Sequence, residues 1–202
     1  KRVVAMIALF IACAMFWAGF EQAGASFNLF AERHTDRVMF GWELPAGTLQ
    51  AVNPAFIIIF APVFAAIWVN LGRRNLDPSA PAKFAIGLIL MGFGFLVMFL
   101  AARYVVAGET VLPTWLMLTY LLHTFGELCL SPVGLSSMTK LAPPRFVGQV
   151  MGLWFLATAI GNNLAGQFAG EIDPDNLPRM PGQVLFLFWG GFIPRGGGGR
   201  AV

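Results

Sequence analysis

Charge is scarce in this sequence. Only 11% of its 202 residues are Asp, Glu, Lys or Arg, against about 25% in an ordinary soluble domain. Together with several apolar runs near 20 residues long, that deficit excludes a water-soluble globular protein. Cysteine is nearly absent. Cys13 and Cys129 both lie inside apolar runs, which excludes a thiolate metal site and leaves two small buried hydrophobes; no metal is expected. Net charge is also small, at +3. The basic residues sit in short connections rather than in one patch, so nucleic acid is not an expected partner. No signal peptide is expected either. Lys1-Arg2 before an apolar run imitates one, but the run is too long and no small-residue cleavage site follows.

What the chain has instead is hydrophobicity: 57% hydrophobic residues, 14% aromatic, and a mean hydropathy of +0.72. The expected fold class is an all-α polytopic membrane protein, with the lipid bilayer as solvent. Five complete spans are expected, at about residues 3–30, 47–72, 84–107, 113–138 and 147–170, with a truncated sixth at 184–194. Residues 1–194 then form one transmembrane bundle, and 195–202 is a glycine-rich tail of non-native appearance. In the second span, Asn53-Pro54 and Pro62 predict a kink or a local break.

The connections alternate in sign. One set (the start, residues 73–83, 139–146 and the tail) carries Lys1, Arg2, Arg73, Arg74, Lys83, Lys140, Arg145, Arg195 and Arg200 with a single acid, Asp77. The other carries Arg33, Arg37, Arg103 and Arg179 with seven acids: Glu32, Asp36, Glu43, Glu109, Glu171, Asp173 and Asp175. By the positive-inside rule the N-terminus is cytoplasmic. Two acids are left over, Glu21 and Glu127, and both fall deep inside spans.

A charge in hydrocarbon costs about 3 kcal/mol or more, so intramembrane acids face a cavity or a partner and mark an ion or substrate path. Glu127 lies in Gly126-Glu127-Leu128-Cys129-Leu130-Ser131-Pro132-Val133-Gly134. Ionised, it attracts an ammonium group; protonated, it is neutral and cheap to bury, so binding of an amine and binding of a proton can be linked, which suits a proton-driven carrier. Ser131, one turn on, adds a hydroxyl, and Pro132 removes a backbone donor. The bland alternatives for both acids are a structural ion pair with a missing helix or a permanently protonated acid.

Residues three, four and seven apart share a helix face. On that rule Trp17, Glu21, Gly24 and Asn28 form one stripe, and Gln50, Asn53, Ile57 and Phe60 a second. Tyr120, Thr124, Glu127, Ser131 and Gly134 form a third, and Trp154, Thr158, Asn162 and Ala165 a fourth. The span at 84–107 is nearly all apolar, so four helices are expected to line a cavity with that one packed outside. For the Asn, Thr and Ser residues the plainer reading is hydrogen bonding between helices, and His123 reads as a core residue more readily than as a proton carrier.

At these residues the sequence closely resembles the C-terminal half of the proton-dependent oligopeptide transporters, the peptide-transporter branch of the major facilitator superfamily. The matching stretches are Phe16-Trp17-Ala18-Gly19-Phe20-Glu21-Gln22-Ala23-Gly24, Val52-Asn53-Pro54, Phe60-Ala61-Pro62, Gly126 to Gly134, and Gly148-Gln149-Val150-Met151-Gly152-Leu153-Trp154-Phe155. The resemblance implies a six-helix half-bundle and proton-coupled symport of di- and tripeptides by alternating access. It implies a multi-pass protein of the plasma (inner) membrane, driven by the proton gradient without a cofactor. By the same resemblance Glu127 meets the peptide's amino terminus with Ser131 beside it, and Asn53 contacts the peptide backbone. Trp154 and Trp17 line the pocket. Glu21 couples protons by pairing with a basic residue of the other half. That N-terminal half-bundle, with its Glu-x-x-Glu-Arg motif, is missing here, and the chain alone is not expected to transport. Other readings are a facilitator for nitrate or an amino-acid derivative, an intramembrane hydrolase built on Glu21 and Glu127, and a non-transporting scaffold.

Overall fold

The chain is described by a computed structural model covering residues 2–39, 41–170 and 179–188. The first apolar run is two helices, not one. Helix α1 spans Arg2–Phe20 and α2 spans Ser26–His34, separated by a 3-10 turn at Glu21–Gly24. The backbone leaves helical geometry at Ala25 (φ −115°, ψ −100°), just after Gly24, a poor helix former. The span expected at about 3–30 thus comprises two helices: the run extends to His34 and is interrupted at Glu21.

A short antiparallel hairpin follows, β1 (Val38–Met39) on β2 (Trp42–Glu43), with Gly41 supplying the positive φ of +82° at its bend. Arg37 closes it with an ion pair to Glu43 at 2.7 Å. Trp42 stands exposed, as an interfacial anchor would. The second run opens with a 3-10 turn at Ala46–Ala51 and continues as α3, Val52–Arg73. The irregularity expected at Asn53-Pro54 thus falls at the helix start, where a proline's missing N–H costs little. Pro62 is carried inside a continuous helix.

Helix α4 spans Ala80–Val106, α5 Thr114–Leu141, α6 Val147–Gly170 and α7 Met180–Phe188. Pro132 lies within α5 without ending it. Among the described residues, four stretches are long and apolar enough to cross a membrane: Arg2–His34, Ala46–Arg73, Ala80–Val106 and Thr114–Leu141. Helix α6 has the length, 24 residues, but Gln149, Asn162, Asn163 and Gln167 dilute its apolar character. The expected sixth span begins inside α7; its remainder and the tail 195–202 lie outside the described residues.

Packing is set by small residues. The most extensive contact is α4 on α5, and α1 on α6 comes next. A Cβ added to Gly87 would meet Gly126 O at 2.8 Å, and one added to Gly126 would meet Gly87 O at 2.7 Å, so the two backbones touch. On the other pair, a Cβ on Gly161 would meet Trp17 Cβ at 2.6 Å and Ala14 O at 2.7 Å. Helix α4 is accordingly central to the bundle. It buries Phe84, Met91, Phe95 and Met98 against its neighbours and turns Ile86, Ile89, Phe93, Leu96, Leu100, Tyr104 and Val106 outward. Its uniform apolarity hid the direction of its buried face. Helix α3 holds the outer position, with no fully buried residue. It touches α5 through Phe60 and Phe64, whose rings lie 4.9 and 5.2 Å from that of Phe125. Outward faces throughout are apolar (Ile58 is 76% exposed, Phe155 63%), a surface suited to lipid rather than water.

Candidate functional site

The site is built on α5. Its helical period puts Tyr120, Thr124, Glu127, Ser131 and Gly134 in one row. Thr124 Oγ1 donates to Tyr120 O at 2.7 Å and accepts from Asn53 Nδ2 at 2.9 Å. That contact docks the first turn of α3 on the middle of α5. The Asn53 amide also lies against the Glu127 carboxyl, and Glu21 is near enough to interact with it electrostatically. Three elements therefore converge: the break between α1 and α2, the start of α3, and the centre of α5.

The polar atoms at this convergence are not all used. Glu127 Oε2, Ser131 Oγ and Tyr120 OH are buried with no hydrogen-bond partner among the described residues. Buried polar groups are nearly always paired, so unpaired ones in a row need an explanation. A hydrogen-bonding ligand, water or the remainder of a larger protein would each satisfy them. Hydroxyl and carboxyl together both donate and accept, which suits a polar organic solute better than a bare ion.

The remaining predicted residues sit around this row. Trp17, one turn before Glu21 on α1, packs edge-on to Phe16 and Phe20 at 6.0 and 5.1 Å, and its indole Nε1 is buried without a partner. Trp154 is placed differently. It is buried, with its ring edge filling the space above Gly134 and an edge contact to Phe84 at 6.2 Å. Gly134 is two turns along α5 from Glu127. In this arrangement Trp154 joins α6 to α4 and α5.

Several polar residues take the plainer role. Gln50 Nε2 donates to Asn28 Oδ1 at 3.1 Å, tying α2 to the turn before α3. Thr158 Oγ1 turns back to Trp154 O at 3.4 Å and lies 4.0 Å from Cys13 Sγ, while Asn162 is exposed. His123 is fully buried among Phe20, Phe27 and Phe95, with Nε2 3.2 Å from Met91 O. No group of three or more His, Cys, Asp or Glu is arranged to hold a metal among the described residues.

Two residues escaped the sequence reading. Lys83, read as a loop charge, is buried at the start of α4. It pairs with Asp77 at 2.8 Å and sits 4.5 Å over the Trp68 ring. Gln22, read only as the neighbour of Glu21, is fully buried with every polar atom engaged. A buried glutamine beside an intramembrane acid was the available signal.

Comparison with known proteins supplies the wider frame. The sequence profile described as the POT family matches residues 1–176. The peptide transporter YePEPT of Yersinia enterocolitica is 46% identical over 182 residues, an alignment covering 89% of this chain and 36% of that protein. A crystal structure of the peptide transporter POT in complex with sulfate superposes with a TM-score of 0.80 at 41% identity, covering 93% of this chain and 38% of that one. A crystal structure of a POT family transporter in complex with 5-aminolevulinic acid gives a TM-score of 0.82 at 33% identity, with the same coverage of each chain. The chain thus spans little more than a third of the length of these relatives.

Proposed function

This chain belongs to the POT family, and on that premise we propose that it is the C-terminal six-helix half of a proton-coupled symporter of di- and tripeptides. The observation that carries the reading is the unpaired row on α5: Glu127 Oε2 and Ser131 Oγ, buried in a membrane-spanning helix and faced by Asn53 and Glu21. The Glu127 carboxylate holds the ammonium end of the peptide, and Ser131 adds a hydroxyl contact beside it. Asn53, already oriented by Thr124, offers its carbonyl to the peptide backbone. Trp17 closes the pocket on the α1 side, and Trp154 marks its far end at Gly134.

Coupling is assigned to the two acids together. The amine and a proton are linked through Glu127, and for symport the proton that Glu127 gives up to the amine is retained in the protein, at Glu21, rather than lost to water. Glu21 and Glu127 repel when both are ionised, which disfavours a doubly charged empty site and favours proton uptake. Glu21 takes its counter-charge from a basic residue of the other half-bundle, and the exchange of that ion pair for a proton drives alternating access. In this reading α6 is a fifth complete span and α7 begins a sixth. The start of the chain faces the cytoplasm, and the protein lies in the plasma membrane with no cofactor besides the proton gradient.

The names of the relatives support peptide as the substrate class and give no support to the hydrolase or nitrate readings. A second reading keeps the site and widens the ligand. The neighbour crystallised with 5-aminolevulinic acid holds a small molecule with a free amine and a carboxylate, so amino-acid derivatives fit the same Glu127 anchor. The test uses the full-length protein in proteoliposomes under an inward proton gradient. Glu127→Gln is expected to abolish accumulation of a labelled dipeptide. A variant that concentrates dipeptide like the parent would remove Glu127 from the centre of the mechanism.

A further inference from the structure

We propose that Gln22 is the positioning residue that sets Glu21 in place, by clamping the break between α1 and α2 onto α6; the inference rests on the coupling role just proposed for Glu21. Gln22 is 0% exposed. Its Nε2 donates to Ala18 O of α1 at 3.2 Å and to Ala165 O of α6 at 3.1 Å, and its Oε1 accepts from Ser26 Oγ of α2 at 2.6 Å. One amide thus joins both halves of the interrupted span and a third helix.

The clamp stands where the backbone can least hold itself. Residues Glu21–Gly24 form a single 3-10 turn, and Ala25 departs from helical angles, so the helical hydrogen-bond ladder is interrupted there. Below the break, α1 is already seated on α6 by the close approach of Gly161 to Trp17 and Ala14. Ala165 lies one turn further along α6. The bond from Gln22 therefore carries the α1–α6 contact up to the break itself. Glu21 is the adjacent residue in that turn, and its reach to Glu127 depends on where the turn sits. Burying an amide is repaid only when all its polar atoms are satisfied, and here they are. An apolar residue would fill the volume but would leave the turn free to shift against α6.

The experiment uses the full-length protein and the variant Gln22→Met, of similar size without the amide. Proton-driven dipeptide accumulation is expected to fall at least tenfold, while equilibrium dipeptide binding stays within about twofold. Because Gln22 acts through Glu21, the double variant Gln22→Met, Glu21→Gln should exchange peptide in counterflow no more slowly than Glu21→Gln alone; a further loss in the double variant would overturn the inference. A second arm needs no transport. With other cysteines removed, the reactivity of the Glu21→Cys variant toward a charged methanethiosulfonate is compared with and without Gln22→Met. A change of at least fivefold is expected, and an unchanged rate overturns the inference whatever the parent carries. A changed rate in a parent that accumulates no peptide would instead retain the clamp and reject the transport reading. If Gln22→Met fails size exclusion as a folded protein, Ser26→Ala, which removes one bond only, should shift the thiol rate in the same direction by a smaller factor; no shift overturns the clamp.

Discussion

Gly87 and Gly126 face each other across the α4–α5 crossing so closely that each occupies, with its carbonyl oxygen, the space where the other's Cβ would stand. Neither neighbour is a flexible side chain that can swing aside. Gly126→Ala or Gly87→Ala must push the helices apart, at a cost of roughly 1–3 kcal/mol for overpacking. A lowered melting temperature of the intact protein in detergent is expected for both. A melting temperature equal to the parent's would mean the crossing is looser than described.

Trp154 offers a second test, one that separates packing from pocket. Its ring covers Gly134 and meets Phe84. Trp154→Ala leaves a cavity among three helices and is expected to cost about 3 kcal/mol of stability, read as thermal unfolding. A side chain that only lined an open cavity would weaken peptide binding with little change in melting.

Glu21→Gln should divide the transport cycle. Proton-driven accumulation is expected to collapse, whereas counterflow exchange of peptide, which needs no net proton movement, should survive to a much larger extent. The two rates are measured side by side in proteoliposomes. Equal loss of both would assign Glu21 a structural role.

The Lys83–Asp77 pair predicts an asymmetry. The side chains are 9% and 42% exposed respectively. Asp77→Asn strands a buried cation with only the Trp68 ring for company, a loss of up to about 3 kcal/mol. Lys83→Met strands a carboxylate that water can reach, and should cost markedly less. Comparing the two melting temperatures checks the order; a reversed order would contradict the described burial.

The parts of this site that could be read in the sequence are those where charge is conspicuous. Once every other acid had been assigned to a connection, Glu21 and Glu127 were exposed by elimination, and the helical period placed Thr124 and Ser131 on the Glu127 face. The break at residues 21–25 was hidden, because Gly24 and Ala25 sit in an apolar run that reads as one helix. The clamp on it comes from Ala165, far away in sequence. The placement of α4 was hidden for the opposite reason. A helix apolar on every side does not announce which face is buried, and only the contact of Gly87 with Gly126 decides it. Lys83 was legible as a charge but not as a buried one, since its counter-ion and its aromatic partner lie on the preceding loop and helix.

Helix α3, with no fully buried residue, has a consequence for how the protein is put together. Helices inserted in a bilayer associate as preformed units, and their order of association follows the contact each can make. The α4–α5 and α1–α6 pairs carry their own close approaches and can lock early. Among the described residues α3 meets α5 at Phe125 and through the Asn53–Thr124 bond, and α4 through Lys83 over the Trp68 ring. It is expected to dock last among these helices, because it offers the bundle no fully buried side chain.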